Sequence, residues 1–152
     1  HRNQFKLPIS KMEGIQEKFM EMFYQTIVIK SSVAFTNKIL DEGTTPSVLT
    51  AIMKQQTTER GREVIRDAMD IYAGSGLCKG ENNMLEKFYK NAPIGITVEG
   101  SNTLTRSLII FGQGLNKSHP YIYPVLDSIL NNNEKDLFSS IYKIRTFFSL
   151  YL

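Results

Sequence analysis

The sequence predicts an all-α protein built as an antiparallel helical bundle. Apolar residues recur at three- and four-residue steps over long stretches, which is the period of an amphipathic helix. Breaks that contain glycine, proline or asparagine separate these stretches. No alternation of apolar and polar residues lasts long enough to predict a strand. Long helices joined by short breaks bury their apolar stripes against one another, so a bundle follows.

The first half of the chain predicts two long helices after an irregular or extended start. The first runs over residues 11–41, and Gly43 suits its C-cap. The middle of this helix is apolar enough to be buried on more than one side. The second runs over residues 46–72, with Pro46 in the first turn, and the glycine-rich run at residues 73–76 ends it. Gly61 lies inside this helix, where glycine costs roughly 1 kcal/mol relative to alanine, so we expect a neighbouring helix packed closely against it.

The second half predicts shorter helices around an acidic loop. A third helix is expected over residues 81–90, followed by an apolar loop over residues 92–98. Glu99 and Gly100 then lead into another helix, whose candidate N-cap residues are Ser101, Asn102 and Thr103. Two further helices are expected over residues 121–130 and 134–152, separated by the polar break Asn131-Asn132-Asn133.

Composition restricts the function classes. The net charge of +3 is small, and no Lys/Arg run is interleaved with aromatic residues, which argues against nucleic acid as a partner. No apolar run approaches the length that spans a membrane, and no signal peptide is recognisable. The single cysteine, Cys78, cannot form an internal disulfide, which fits a reducing compartment. The chain opens at His1 instead of methionine, so we expect a piece of a longer protein.

Few residues can carry chemistry. The only histidines are His1 and His119 and Cys78 has no cysteine neighbour, so no metal site is predicted. The turn Ala73-Gly74-Ser75-Gly76 could hold a phosphate on its backbone N–H groups, or it could simply cap the preceding helix. Glu99 is an acid between an apolar segment and free N–H groups at a helix start. It could be a structural acid matched to the helix dipole, or a functional carboxylate.

Three segments, in this order, resemble the C-terminal domain of the acyl-CoA dehydrogenases. Arg2-Asn3-Gln4-Phe5 is similar to the family's Arg-x-Gln/Thr-Phe segment at the entry to the first long helix. Residues 67–76 resemble a helix end that runs into Gly-Gly-x-Gly. Val98-Glu99-Gly100-Ser101 resembles the Tyr-Glu-Gly-Thr loop that carries the catalytic base. Any one of these matches is moderate, whereas the ordered set is strong.

The large bacterial fatty acyl-CoA dehydrogenases show the closest resemblance. Residues 11–15, residues 92–94 and residues 110–114 look nearly verbatim, as does His119-Pro120-Tyr121. The similarity covers residues 2–121. It implies a C-terminal four-helix-bundle domain over residues 1–118 and the start of a helical extension over residues 119–152.

The resemblance implies a flavoenzyme that oxidises fatty acyl-CoA to trans-2-enoyl-CoA in fatty acid β-oxidation. In this family a carboxylate removes the α-proton while the β-hydrogen leaves as hydride to the flavin of FAD, and the resemblance gives the carboxylate role to Glu99. The backbone N–H of Glu99 would hydrogen-bond the thioester oxygen. An apolar pocket is expected around the carboxylate. The family's other domains supply much of the site, so we expect the fragment alone to be inactive.

The resemblance also implies which residues contact FAD. Three of them, Gly100, Ser101 and Thr103, match positions that touch the flavin cofactor. Arg2, Gln4, Phe5 and Gly74 match positions that reach the FAD of a neighbouring subunit, with Arg2 on its pyrophosphate.

Four departures from the family pattern stand out, one of which is Asp70 in place of the glutamine common in smaller members. Val98 replaces the tyrosine before the base, which removes an aromatic wall of the pocket. Ala73 replaces the first glycine of the turn, and Lys6 stands where smaller members have glycine.

The resemblance further implies a homo-oligomer and an electron acceptor such as an electron-transfer flavoprotein. The implied location is the cytoplasm, with peripheral attachment at the inner membrane as an alternative. A second hypothesis is a non-catalytic helical-bundle remnant of the family that serves subunit association. Retention of Glu99 in an apolar segment favours the enzyme.

Overall fold

The prediction of an all-α protein is confirmed. The computed structural model describes residues 2–151, apart from the side chains at positions 117, 147, 148, 150 and 151. The helices are α1 (Glu13–Asp41), α2 (Ser47–Tyr72), α3 (Gly74–Leu77), α4 (Met84–Thr97), α5 (Asn102–Leu104), α6 (Gly114–Ser118), α7 (Ile122–Leu130) and α8 (Glu134–Tyr151). A π-helix covers Thr105–Gln113 between α5 and α6. Within the described residues, no helix is both long and apolar enough to cross a membrane.

The chain begins with a short hairpin, where the sequence predicts only an irregular or extended start. Strand β1 (Asn3–Gln4) pairs antiparallel with β2 (Leu7–Pro8), and a 3₁₀ turn at Ile9–Lys11 leads into α1. The two linking residues, Phe5 and Lys6, have φ angles of 51° and 63°. Positive φ at both central residues is the geometry of a type I′ hairpin turn. Strands of two residues are too short to produce a visible alternation in the sequence.

Helices α1 and α2 pack against each other through polar side chains. Gln25 of α1 and Asp67 of α2 are buried. Arg60 donates a hydrogen bond from Nη1 to Gln25 Oε1, and Lys18 donates from Nζ to Asp67 Oδ1 at 3.3 Å. Buried polar groups that find partners across a helix pair fix its register, so the two helices are aligned by this polar interface.

The apolar side chains of this helix pair lie mostly on the outside. In the described part of the chain, the only hydrophobic residues classed as buried are Ala51 and Ile71. Exposed large apolar residues of α1 include Phe19, Met20, Phe23, Tyr24, Ile27, Val33 and Phe35. The expectation that the middle of α1 is buried on more than one side is therefore wrong for this chain by itself. Large exposed apolar patches are typical of interaction sites.

Helix α4 extends further than the sequence predicts. It begins at Met84 and continues to Thr97, so the expected apolar loop over residues 92–98 is mostly helical. Asn83 caps its start, because its Oδ1 accepts a hydrogen bond from Glu86 N at 3.2 Å. Pro93 removes one helical N–H but lies in the C-terminal part of the helix. Tertiary packing of α4 on α2 outweighs the local preference of proline.

The interpretation of Gly61 is also wrong. A Cβ atom at Gly61 would meet no heavy atom within 4 Å, apart from the backbone of its own helix. Within the described residues, close helix packing therefore does not explain this glycine. Gly95 is the glycine that does face a neighbour, since its Cβ would lie 3.4 Å from Thr58 Cγ2 on α2.

The chain divides into two compact units between Thr105 and Arg106. The first contains the hairpin and helices α1 to α5. In the second unit, α7 and α8 pack against each other. They confirm the two helices that the sequence predicts over residues 121–130 and 134–152, of which Leu152 lies outside the described residues. The domain boundary expected at residue 118 stays a prediction.

Candidate functional site

The Glu99 loop joins α4 to α5 by a tight left-handed turn. Glu99 has a φ of 52° and Gly100 a φ of 90°. Glycine adopts such angles readily, whereas a glutamate at positive φ is uncommon and costs of order 1 kcal/mol or more. Ser101 confirms its predicted capping role, because its Oγ accepts a hydrogen bond from Leu104 N at 3.3 Å. The side chain of Glu99 is exposed at this turn.

Lys54 of α2 holds this loop through three hydrogen bonds. Its Nζ donates to Gly100 O at 2.7 Å and to Ile96 O at 3.2 Å. The third bond goes to Asn102 Oδ1 at 2.7 Å. An ammonium group has three N–H donors and no acceptor, so the hydrogen-bonding capacity of Lys54 is used completely.

Asn102 provides a second connection to α2. Its side chain is buried, and its Nδ2 donates to Thr58 Oγ1 at 2.9 Å and to Glu59 Oε1 at 3.0 Å. Thr58 and Glu59 follow Lys54 by about one helical turn, so a single face of α2 holds the loop.

The glycine turn after α2 has a backbone conformation that suits glycine. Ala73 lies at φ 50° and ψ −131°, a combination that residues with a Cβ rarely adopt. Gly74 is exposed, and a Cβ there would meet no atom within 4 Å. Gly76 is buried, and a Cβ would lie 3.3 Å from Tyr72 Cβ. The turn is therefore packed on one side and open at Gly74.

Asn83 holds the far side of the same turn. Its Nδ2 donates to Gly76 O at 2.6 Å and to Cys78 O at 2.8 Å, and the residue is buried. Because Asn83 also caps α4, one side chain links the glycine turn to the start of the next helix.

Arg2 and the glycine turn line one cavity, which is necessary if both bind the same ligand. The cavity has a volume of about 650 Å³. Its charged lining residues are Arg2, Lys79 and Glu81, and its lining also includes Gly74 and Ser75. A guanidinium beside open backbone at a glycine turn suits a phosphate group.

Comparison with known proteins decides the family. Residues 1–112 match the family described as acyl-CoA dehydrogenase, C-terminal domain. This chain belongs to the acyl-CoA dehydrogenase family. The match contains both the Arg2 segment and the Glu99 loop.

A curated relative of this acyl-CoA dehydrogenase domain is an acryloyl-CoA reductase (NADH) from Anaerotignum propionicum. The two are 30% identical over 108 residues, which cover 71% of this chain and 27% of the relative. The chain therefore spans little more than a quarter of the relative that it matches. No solved structure matches the chain significantly.

The acyl-CoA dehydrogenase family is flavin-dependent, and two of the residues expected to contact its cofactor, Arg2 and Gly74, line the same cavity. Arg2 brings a cationic guanidinium to this cavity, and Gly74 brings backbone that carries no side chain. Phe5 is 88% exposed at the hairpin turn, and Gln4 is exposed on β1. These side chains are available to a partner of this acyl-CoA dehydrogenase domain.

The acyl-CoA dehydrogenase domain does not bring all of the predicted residues together. Glu99 is not among the residues that line the Arg2 cavity, so the structure has two separate regions of interest. Gly100 and Ser101 are half-buried beside Glu99, and Thr103 is exposed.

The expected apolar pocket around Glu99 is not formed by the described residues of this acyl-CoA dehydrogenase domain. Glu99 is exposed, and its neighbours Ile94 and Val98 are 53% and 48% exposed. The described residues therefore leave the Glu99 carboxylate open to solvent. Among the described residues, no three His, Cys, Asp or Glu side chains are grouped so that they could hold a metal ion.

Sequence analysis of this acyl-CoA dehydrogenase domain missed Lys54. A signal was present, because Lys54 falls three residues after Ala51 and four before Thr58, on the inward face of α2. A lysine at a half-buried helix position requires acceptors, and the last turn of another helix has carbonyl groups without intrahelical partners.

Proposed function

We propose that this chain is the C-terminal domain of an FAD-dependent acyl-CoA dehydrogenase that oxidises fatty acyl-CoA to trans-2-enoyl-CoA in fatty acid β-oxidation. In this proposal Glu99 is the base that removes the α-proton. Gly100, Ser101 and Thr103 contact the flavin portion of the same site, and Arg2, Gln4, Phe5 and Gly74 contact the FAD of a neighbouring subunit. The fatty acyl substrate class follows from the resemblance to the large bacterial branch.

One observation carries the proposal: Arg2 and Gly74 are far apart in the sequence and line one cavity. An unrelated helical adaptor gives no reason for an arginine and an open glycine turn to meet. A dinucleotide pyrophosphate requires this combination of positive charge and unobstructed backbone. The exposed apolar side chains of α1 support the neighbouring subunit that the proposal needs.

The chemistry assigned to this chain is proton transfer. When bound, the flavin supplies the acceptor for the hydride that leaves the β-carbon. The Glu99 carboxylate takes the α-proton, and it is available to do so because its side chain is exposed. The backbone N–H of Glu99 is assigned to the thioester oxygen, where it would stabilise enolate-like charge.

A reductive direction is a second candidate, and the name of the curated relative, acryloyl-CoA reductase (NADH), favours it. The same residues serve both directions, because by microscopic reversibility the acid that returns a proton to the α-carbon is the base that removes it. Glu99 would then be the proton donor to an enoyl thioester.

A domain retained only for subunit association is the non-catalytic alternative, and the exposed apolar residues of α1 are compatible with it. The proposed homo-oligomer is common to both. An electron-transfer flavoprotein as acceptor and a cytoplasmic location are further parts of the enzyme proposal.

The experiment expresses the complete open reading frame that contains this chain and measures its flavin absorbance without oxygen. Bleaching by a saturated acyl-CoA, with formation of the trans-2-enoyl product, supports the dehydrogenase. Bleaching by NADH followed by reoxidation with an enoyl-CoA supports the reductase. A folded protein that binds FAD and does neither, or that binds no FAD, would contradict both and leave the association hypothesis.

A further inference from the structure

We infer that Lys54 is a positioning residue that fixes the Glu99 carboxylate by holding the backbone on both sides of it. The inference rests on the proposed role of Glu99 as the proton-transferring group. It adds a residue on a different helix, α2, whose side chain contacts the loop and not the substrate.

The three acceptors of Lys54 lie on either side of Glu99. Ile96 O precedes it by three residues, and Gly100 O follows it directly. Asn102 Oδ1 lies two residues further on. A single ammonium group therefore holds the segment before the carboxylate and the segment after it.

The Lys54 ammonium lies at the C-terminal end of α4, which strengthens its hydrogen bond to Ile96 O. Ile96 is in the last turn of that helix, where carbonyl oxygens have no intrahelical donor and the helix dipole is negative. A lysine ammonium satisfies one of them and interacts favourably with the dipole. Hydrogen bonds to a charged donor are roughly twice as strong as neutral ones.

The loop needs an external restraint because its backbone is strained. Glu99 at φ 52° has a sparsely populated conformation, which persists only where surrounding structure enforces it. The buried side chain of Asn102, itself bonded to Thr58 and Glu59, keeps the acceptor of Lys54 in place. Removal of the ammonium leaves its three acceptors without this donor and lets the turn relax.

Proton transfer is sensitive to such relaxation, because a misplacement of about 1 Å can cost about 100-fold in rate. Replacement of Lys54 should therefore slow proton abstraction more than it weakens substrate binding. A loss of that kind separates positioning from a general loss of structure.

The test uses the complete flavoprotein in anaerobic single-turnover experiments, with bleaching of the flavin by a saturated acyl-CoA as the readout. The variants are Lys54→Met, Lys54→Arg and Glu99→Gln, with Lys87→Met as the control because Lys87 is an exposed lysine of α4. We expect Lys54→Met to slow bleaching about 10- to 100-fold at saturating substrate. We expect the acyl-CoA Kd, followed by the flavin spectral shift, to stay within about twofold of wild type.

Lys54→Arg should recover part of the lost rate, since arginine keeps the charge but has a planar donor geometry. The inference would be overturned if Lys54→Met bleached the flavin at the same rate as Lys87→Met while Glu99→Gln had lost bleaching. That result would leave the proposed function intact. Parallel losses of FAD and acyl-CoA binding in Lys54→Met would also overturn it. Undiminished bleaching in Glu99→Gln would instead overturn the proposed function.

Amide hydrogen exchange in the complete flavoprotein gives an independent test that needs no turnover. Lys54→Met should increase exchange at residues 98–105, where the loop and its cap lie, and Lys87→Met should not. Equal protection in both variants would overturn the inference.

Discussion

Replacement of Ala73 by glycine should stabilise the protein, although glycine usually destabilises. Ala73 has φ 50° and ψ −131°, a region in which a Cβ atom is strained and which glycine occupies without penalty. It follows α2 directly and precedes Gly74, which is exposed and open. The family pattern has glycine at this position, which agrees with the backbone conformation of Ala73.

The expected magnitude follows from two opposing terms. A sparsely populated backbone conformation costs about 1–3 kcal/mol, which Ala73→Gly removes. Glycine costs about 0.5–1 kcal/mol in additional chain entropy. The difference predicts a gain of about 1 kcal/mol in the free energy of unfolding, or about 2–4 °C in Tm for a chain of this size.

Urea denaturation measures this change, and Ala34→Gly is the matched control. Ala34 is exposed in the interior of α1, where the same substitution should lower the free energy of unfolding by about 1 kcal/mol. The two variants should therefore shift the midpoint in opposite directions with the same m-value. A decrease for Ala73→Gly similar to that for Ala34→Gly would refute the argument from backbone strain.

Four further predictions follow from glycine and positive-φ positions. Lys6→Gly, at φ 63° in the hairpin turn, should raise the free energy of unfolding by up to about 1 kcal/mol; a lower thermal midpoint would contradict this. Gly61→Ala should stabilise α2 by about 1 kcal/mol because a Cβ meets nothing there; destabilisation would mean that a surface absent from this chain packs on it. Gly76→Ala should destabilise by about 1 kcal/mol because Tyr72 Cβ lies 3.3 Å away and belongs to a rigid helix. Gly74→Ala should leave stability unchanged and weaken FAD binding in the complete enzyme. Equal thermal midpoints for Gly74→Ala and Gly76→Ala would contradict the difference in stability expected between them.

Helix positions were predictable where periodicity and punctuation agreed. Helix α2 ends at Tyr72, directly before the glycine-rich run, as the sequence predicts. Helix α4 was mispredicted because a proline usually ends a helix, whereas packing on α2 and the Asn83 cap sustain this one through Pro93. The hairpin at the start was missed because its strands are two residues long.

Burial was harder to predict than helix position. The sequence marks the apolar side chains of α1, but in this structure Gln25 and Thr36 are buried while Phe23 and Phe35 are exposed. Periodicity identifies which residues share a face, and it does not identify whether that face meets the same chain or another surface. The same reasoning explains why the apolar pocket expected around Glu99 is not formed within the described residues.

The candidate site was predictable as motifs but not as a network. The sequence predicted Arg2, Gly74 and Glu99 as site residues because their motifs occur in the same order as in the family. In the structure, Arg2 and Gly74 line one cavity. Lys54 was missed because its role depends on three acceptors that are distant in sequence and converge only in the fold.

The rate of anaerobic flavin bleaching in Glu99→Gln, measured at saturating acyl-CoA in the complete enzyme, tests the central claim most directly. Glutamine keeps the size of the side chain and its hydrogen bonding but cannot accept the α-proton at neutral pH. If Glu99 is the base, the rate should fall at least about 100-fold, the usual contribution of a positioned general base. Bleaching at the wild-type rate would contradict it and remove Glu99 from proton abstraction.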